Sequence, residues 1–260
     1  MFRFREPNTN LRRGISAMTS KVRVEDAKAV QNMPAEYKEL LVHQLLAHAE
    51  GELNGADNYI LMAAPMAPNA YEVKVCYAGA ADEMEHYIRT IELLDELGVD
   101  GSYMLKKSLA ARQHYRTEIL DGSHQGNWAA RGLSSLLVEW AALEHIEEMA
   151  ESSYLPLAAI CPKIIEEEHV HIEHGHRITK ALCEQPESRA AVQTMLDFMW
   201  GMVLDLFGKS ESERSKGYLR WGLRLRGNEE ARQRFIPRAR AKLLELGLVA
   251  PPDHTGRKFN

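Results

Sequence analysis

The sequence predicts an all-α protein: a four-helix antiparallel bundle with additional C-terminal helices. Three observations carry that reading. Apolar residues recur at three- and four-residue intervals through several long stretches. Gly and Pro are few, 17 and 10 of 260 residues. No run alternates with the two-residue period of a half-buried strand. Long helices joined by short connectors pack as antiparallel neighbours.

The elements follow in chain order. Residues 1–33 read as an N-terminal arm, with weak periodicity broken by Pro7, Gly14 and Pro34. The first helix runs from Pro34 to about Leu61, with Leu41, Leu45, Glu52 and Ala56 on one face, and Pro65 and Pro68 stop it. A second spans about Tyr71–Leu97, with Gly98 as its C′ residue. A third covers about Tyr103–Leu120, before a polar loop at Asp121–Asn127. The fourth runs from Trp128 to about Ser152. The fifth runs from Leu155 to Cys183, with Pro156 and Pro162 near its start. A sixth covers Ser188–Phe207. After a polar segment, Gly208–Lys216, two shorter helices fit Tyr218–Leu225 and Glu229–Leu246. Residues 34–250 thus form one domain, and 251–260 form a Pro-containing tail.

Composition excludes several classes. With 45% hydrophobic and 27% charged residues, the chain is neither disordered nor collagenous. Three cysteines, Cys76, Cys161 and Cys183, make no disulfide framework and suit a reducing cytoplasm. The basic N-terminus lacks the apolar run of a signal peptide, and no apolar stretch reaches the ~18 residues of a membrane span. Charge is uneven. Between Arg214 and Lys242 ten basic residues face two acidic ones, Glu229 and Glu230, so that segment is +8 and the rest is −5 − 8 = −13. The acidic remainder and the lack of interleaved aromatics argue against nucleic acid.

Two Glu-x-x-His motifs carry chemistry: Glu83–His86 on the second helix and Glu168–His171 on the fifth. Residues three apart share a helix face, so each motif presents one carboxylate and one imidazole together. Glu52 precedes Glu83 by 31 residues, and Glu139, set among Leu136, Leu143 and Ile146, precedes Glu168 by 29. The order Glu, Glu-x-x-His, Glu, Glu-x-x-His implies two similar helical hairpins. That is the ligand set of a ferritin-like di-iron or di-manganese bundle. Lone carboxylates on apolar faces are costly, and divalent cations offset that cost. On the fifth helix Glu173 with His176 is a rival pair. Cys161, Ile164, Glu168, His171 and Gly175 form the more apolar stripe and are assigned inward. His169, His174 and His176 then fall on flanking or solvent faces. His43 and His48 read as hydrogen-bonded neighbours of the core, His114 and His124 as exposed, and the cysteines as core thiols.

The residues also carry a family resemblance. Met33–Tyr37, His48–Glu52, Asp82–His86, Glu139–Ala142, Glu167–His171, Phe207–Gly208 and Glu230–Phe235 occur in the order seen in the phenylacetic acid catabolic family of ferritin-like proteins. Within it, the chain is similar to the catalytic subunits that epoxidise the ring of phenylacetyl-CoA. The resemblance places the metal ligands, which are also the catalytic set, on Glu52, Glu83, His86, Glu139, Glu168 and His171. The fourth position is commonly Asp in the family and is Glu139 here. A lysine common one turn before the second-helix motif is replaced by Gly79.

The resemblance and the ligand set together predict a di-iron, O2-dependent oxygenase that epoxidises or hydroxylates an organic substrate. Manganese is the other metal the ligands suit. An aromatic acyl-CoA thioester is the substrate class implied. The implied partners are O2, an external reductase and a ferritin-like companion subunit in a homo- or hetero-oligomer. The basic 214–242 segment reads equally as a surface for CoA phosphates, for the companion, or as a solvated face. Competing readings are an N-oxygenase, a desaturase or a manganese or iron oxidase on the same bundle. A further alternative is a non-catalytic, iron-handling or structural ferritin-like subunit.

Overall fold

The computed structural model describes residues 22–106 and 127–259. Within them the chain is all-α, and its only β feature is an isolated bridge between Val24 and Tyr154. A short helix α1 (Ala27–Gln31) starts on Asp26, whose side chain accepts from the Ala29 N–H at 2.7 Å. It lies within the expected arm, where Val24 and Val30 are buried. Helix α2 (Ala35–Asp57) passes through a π turn at Asn58–Ala63 and ends at Met66. The wide turn carries the helix past Pro65, beyond the stop expected near Leu61, because it leaves slack in the hydrogen-bond ladder that Pro would break.

Helix α3 (Ala70–Glu96) is capped by Asn69, which accepts from the Glu72 N–H. Gly98, at φ 73°, closes it. Of the expected third helix, Ser102–Lys106 is a 3-10 turn and the remainder lies outside the described residues. Helix α4 begins at Trp128 behind the Asn127 cap, makes a π turn at Ser134–Val138, and continues as Glu139–Met149. Helix α5 (Leu155–Cys183) has Pro156 in its first turn, where a missing N–H costs nothing. These four, α2 to α5, form the ferritin-like bundle: α2 pairs with α3, α4 with α5, and α3 meets α5 across the middle.

Helix α6 (Pro186–Asp205), α7 (Glu213–Trp221) and α8 (Asn228–Glu245) complete the fold. Helix α7 starts five residues earlier than the apolar pattern suggests, because Ser212 accepts from the Ser215 N–H and caps a mostly polar turn. Gly222, at φ 67°, ends it. Trp200, Phe207 and Phe235 join α6 and α8 to the back of α4. A second core packs Tyr37, Leu41 and Leu45 against Leu94, Tyr154 and Ile164. The three cysteines are free and buried.

Part of the basic C-terminal segment pairs with the bundle. Buried Glu144 receives Arg234 and Arg238, and buried Glu148 accepts the Leu225 and Arg226 N–H groups at 3.3 and 3.2 Å. Arg220 pairs with Glu36. Fully buried Arg232 donates to the Leu204 carbonyl. Arg226, Arg234 and Arg238 thus supply the partners that the buried carboxylates of the bundle require.

Candidate metal centre

Helical spacing aims the two motifs inward. Glu83, His86, Glu168 and His171 are all buried, at 4, 0, 2 and 3% exposure, while the rival Glu173 side chain is 79% exposed. Glu52, Glu83, His86 and Glu168 bring one donor atom each within 4.8 Å of the others, a group that could hold a metal ion. His171 stands beside it, with Nδ1 at 3.6 Å from Glu83 Oε1 and 3.9 Å from Glu168 Oε1. Glu139 is the outlying member: its Oε1 accepts from Arg131 at 3.0 Å and from Ser135 Oγ at 3.2 Å.

The two imidazoles are oriented across the hairpins. Glu167, on α5, accepts from Nε2 of His86 on α3 at 3.0 Å. Asp82, on α3, accepts from Nε2 of His171 on α5 at 3.3 Å. Each acidic residue immediately precedes the Glu of its own motif. The exchange leaves both Nδ1 atoms facing the carboxylates, the arrangement by which outer carboxylates fix metal-binding imidazoles. Glu52 Oε2 accepts from His86 Nδ1 at 3.0 Å, and Glu52 Oε1 pairs with His48 Nδ1 at 2.9 Å.

Electrostatics show what this space demands. Burial, then the neighbouring Glu168, Glu52 and Glu139 charges, push Glu83 well above the carboxylate range. Burial and the Glu52 and Glu139 charges do the same to Glu168. Burial also disfavours ionised Glu52, but His48 and His86 outweigh it and hold its carboxyl low. Desolvation opposes charge on His86, yet Glu52 and Glu167 raise it. Carboxylates crowded in a dry site resist ionisation together unless cations join them. Two atoms of the candidate set, Glu139 Oε2 and His171 Nδ1, are buried without any hydrogen-bond partner. The donor set, carboxylate-rich with two imidazoles, fits divalent iron or manganese.

Small residues make room for these groups. A Cβ on Gly55 would fall 2.6 Å from the Glu83 carboxyl carbon. A Cβ on Gly79 would fall 2.6 Å from the Tyr59 ring, so that ring fills the space a longer side chain would need. Tyr59 sits in the first π turn, fully buried, with the Arg131 guanidinium 3.8 Å from its ring centre.

A cavity of about 540 Å³ opens onto Glu52, Glu83, Glu139 and Glu168. Val138, Ala142, Ile146, Met149 and Phe207 give it apolar lining, and Lys209, Arg214 and Arg224 also line it. Lys209 and Arg214 are exposed and make no ion pair among the described residues. Of the histidines read as bystanders, His43 bonds the Tyr218 hydroxyl at 2.9 Å and His48 bonds Glu52. His169 is exposed and His176 half-buried. His174 is a correction: it is buried, because Glu72 at the start of α3 accepts from its Nε2 at 2.8 Å. Sequence reasoning missed Asp82, Glu167 and Arg131. The acid directly before each motif Glu was the available signal for the first two; Arg131 offered none.

Four long helices with two Glu-x-x-His motifs facing a buried carboxylate group define a ferritin-like carboxylate metal-site bundle. The family model for phenylacetic acid catabolic proteins matches residues 18–259, and the chain belongs to that family. It is 28% identical over 228 residues to the A subunit of the 1,2-phenylacetyl-CoA epoxidase of Escherichia coli (strain K12), covering 85% of this chain and 72% of that protein. No described helix is long and apolar enough to cross a membrane.

Proposed function

We propose that this chain is a di-iron, O2-dependent oxygenase that inserts one oxygen atom into an aromatic acyl-CoA thioester, by epoxidation or hydroxylation. The observation that carries the reading is the buried group of Glu52, Glu83, His86 and Glu168, whose three carboxylates line a cavity. Glu139 and His171 complete the ligand set. Two iron ions, when bound, supply O2 activation, so that one oxygen enters the substrate and the other leaves as water.

The chain's own residues do the rest. Asp82 and Glu167 fix the imidazoles, and Gly55 leaves space for the Glu83 carboxyl. The apolar wall from Val138 to Phe207 excludes water and receives an aromatic acyl group. Lys209, Arg214 and Arg224 receive the phosphates of the CoA portion, which gives the basic segment its one outward task. Two electrons and two protons balance the reaction. We assign the electrons to an external reductase, and a ferritin-like companion subunit to the assembly, as the epoxidase relative is itself one subunit of its enzyme.

The test is anaerobic iron loading followed by exposure to 18O2 with phenylacetyl-CoA and a reductase. One 18O atom in the thioester is the expected product. Desaturated product would favour a desaturase, an oxidised nitrogen an N-oxygenase, and cage-sized iron uptake without turnover a storage role. Iron-free wild-type protein, or Glu83→Ala with full iron, would overturn the reading.

A further inference from the structure

The two halves of the centre are unequally prepared for a cation, and Arg131 is the cause. Position eight before the lone Glu of the first hairpin is neutral Gln44; position eight before Glu139 is Arg131. That guanidinium is buried at 4% exposure. It donates to Asn58 Oδ1 at 2.9 Å and to Glu139 Oε1 at 3.0 Å, and it lies against the Tyr59 ring at 3.8 Å. Both π turns serve it: one supplies Asn58 and Tyr59, the other Ser135, which holds the same Glu139 oxygen.

We propose that Arg131 is a positioning residue that makes the centre load in two unequal steps. The first cation is taken by Glu52, Glu83, His86 and Glu168. The second is completed by Glu139 and His171 and is weakened by the fixed guanidinium charge. This rests on the metal reading above.

The two lone carboxylates differ in the fixed charge beside them. Among the described residues Glu52 has no guanidinium beside it: its partners are the imidazoles of His48 and His86, at 2.9 and 3.0 Å. Glu139 is held by a group that never deprotonates in a protein. The bond to Asn58 and the packing on the Tyr59 ring hold Arg131 at Glu139. A cation at the second position must therefore share Glu139 with it. Oε2, buried and without a hydrogen-bond partner, is the oxygen left for the ligand role.

The experiment is titration of the metal-free full chain with Co(II), without oxygen, followed by d–d absorption and by calorimetry. Wild type is expected to bind two ions per chain, the second about ten-fold more weakly or worse, from one fixed charge nearby. Arg131→Met should tighten the second step by about ten-fold and change the first less than about two-fold. Arg131→Lys, which keeps the charge, should keep the gap. Should Arg131→Met fail to fold, Arg131→Gln makes the same test with a donor retained toward Glu139. Two equal steps in wild type, or an unchanged gap in the neutral variants, overturn the proposal while leaving the metal centre standing. No Co(II) binding at all overturns the centre itself.

Discussion

The two hairpins carry the same candidate ligands in the same order but hold them differently. In the first, both oxygens of Glu52 are engaged by histidines, and its carboxylate joins Glu83, His86 and Glu168 in one tight group. In the second, Glu139 stands apart on Arg131 and Ser135, and His171 keeps an Nδ1 without a hydrogen-bond partner. The symmetry of spacing sets which residues face inward. Asymmetry comes from what lies one and two turns before each lone Glu: His48 and Gln44 in one case, Ser135 and Arg131 in the other. A repeated motif can thus place the same residue types in two unequal environments.

The comparison breaks most sharply at the ligands themselves. Glu168 belongs to the tight group and also neighbours His171, so Glu168→Ala should lose almost all iron. Glu139→Ala should keep about one iron per chain, since the first group remains intact. Iron analysis after anaerobic loading checks both. Equal losses in the two variants would show that the halves load as one unit.

The crossed outer carboxylates sharpen it next. Glu167→Gln should weaken iron binding by about ten- to hundred-fold, the usual cost of losing an outer partner of a ligating imidazole. Asp82→Asn should cost less. Its contact with His171 is 3.3 Å rather than 3.0 Å, and its side chain is 36% exposed against 18% for Glu167. Competition with a chelator of known affinity measures the order, and a reversed order would make the second hairpin the better-held half.

A third difference lies three residues after each lone Glu, where the first hairpin has Gly55 and the second Ala142. Gly55→Ala places a methyl 2.6 Å from the Glu83 carboxyl carbon and should lower iron affinity by about ten-fold. Ala142→Gly should leave iron binding unchanged and cost only about 1 kcal/mol of helix stability. Calorimetric unfolding and iron titration separate the two effects.

The parts of this arrangement legible in the sequence are those written in local spacing. Three-residue separation puts Glu83 with His86 and Glu168 with His171, and the apolar stripe through Cys161, Ile164 and Gly175 turns the second pair inward. The illegible parts depend on residues far apart in the chain. His174 reads as peripheral because its partner, Glu72, lies 102 residues away. The basic segment reads as free because its acceptors Glu36, Glu144 and Glu148 are on other helices. The π turns escape because an extra residue per turn leaves no mark on a 3.6-residue pattern, although both turns feed the contact between Arg131 and Glu139. The start of helix α7 is hidden because Ser212–Lys216 is polar, and a cap is a weaker signal than periodicity.

A last difference leaves the metals alone and concerns the histidines along the cavity. On the first hairpin His43 and His48 have the Tyr218 hydroxyl and Glu52 as partners. On the second, His145 packs on Phe207 at 5.2 Å, and no carboxylate among the described residues stabilises its charge. Burial, with the Arg224 charge adding to it, lowers its pKa to about 3 against a modest opposing hydrogen bond to the Leu206 backbone. The ring therefore stays neutral in the folded protein at pH values where the unfolded chain binds a proton. Its contribution to stability is full above about pH 6.5 and is lost as pH falls toward 3. Between pH 7.5 and 5 that loss amounts to about 1 to 2 kcal/mol. His145→Met should narrow the difference between denaturant unfolding curves at those two pH values by about that amount. Its iron content should not change. A variant with the wild-type pH dependence would mean that the cavity solvates His145 well enough to charge it.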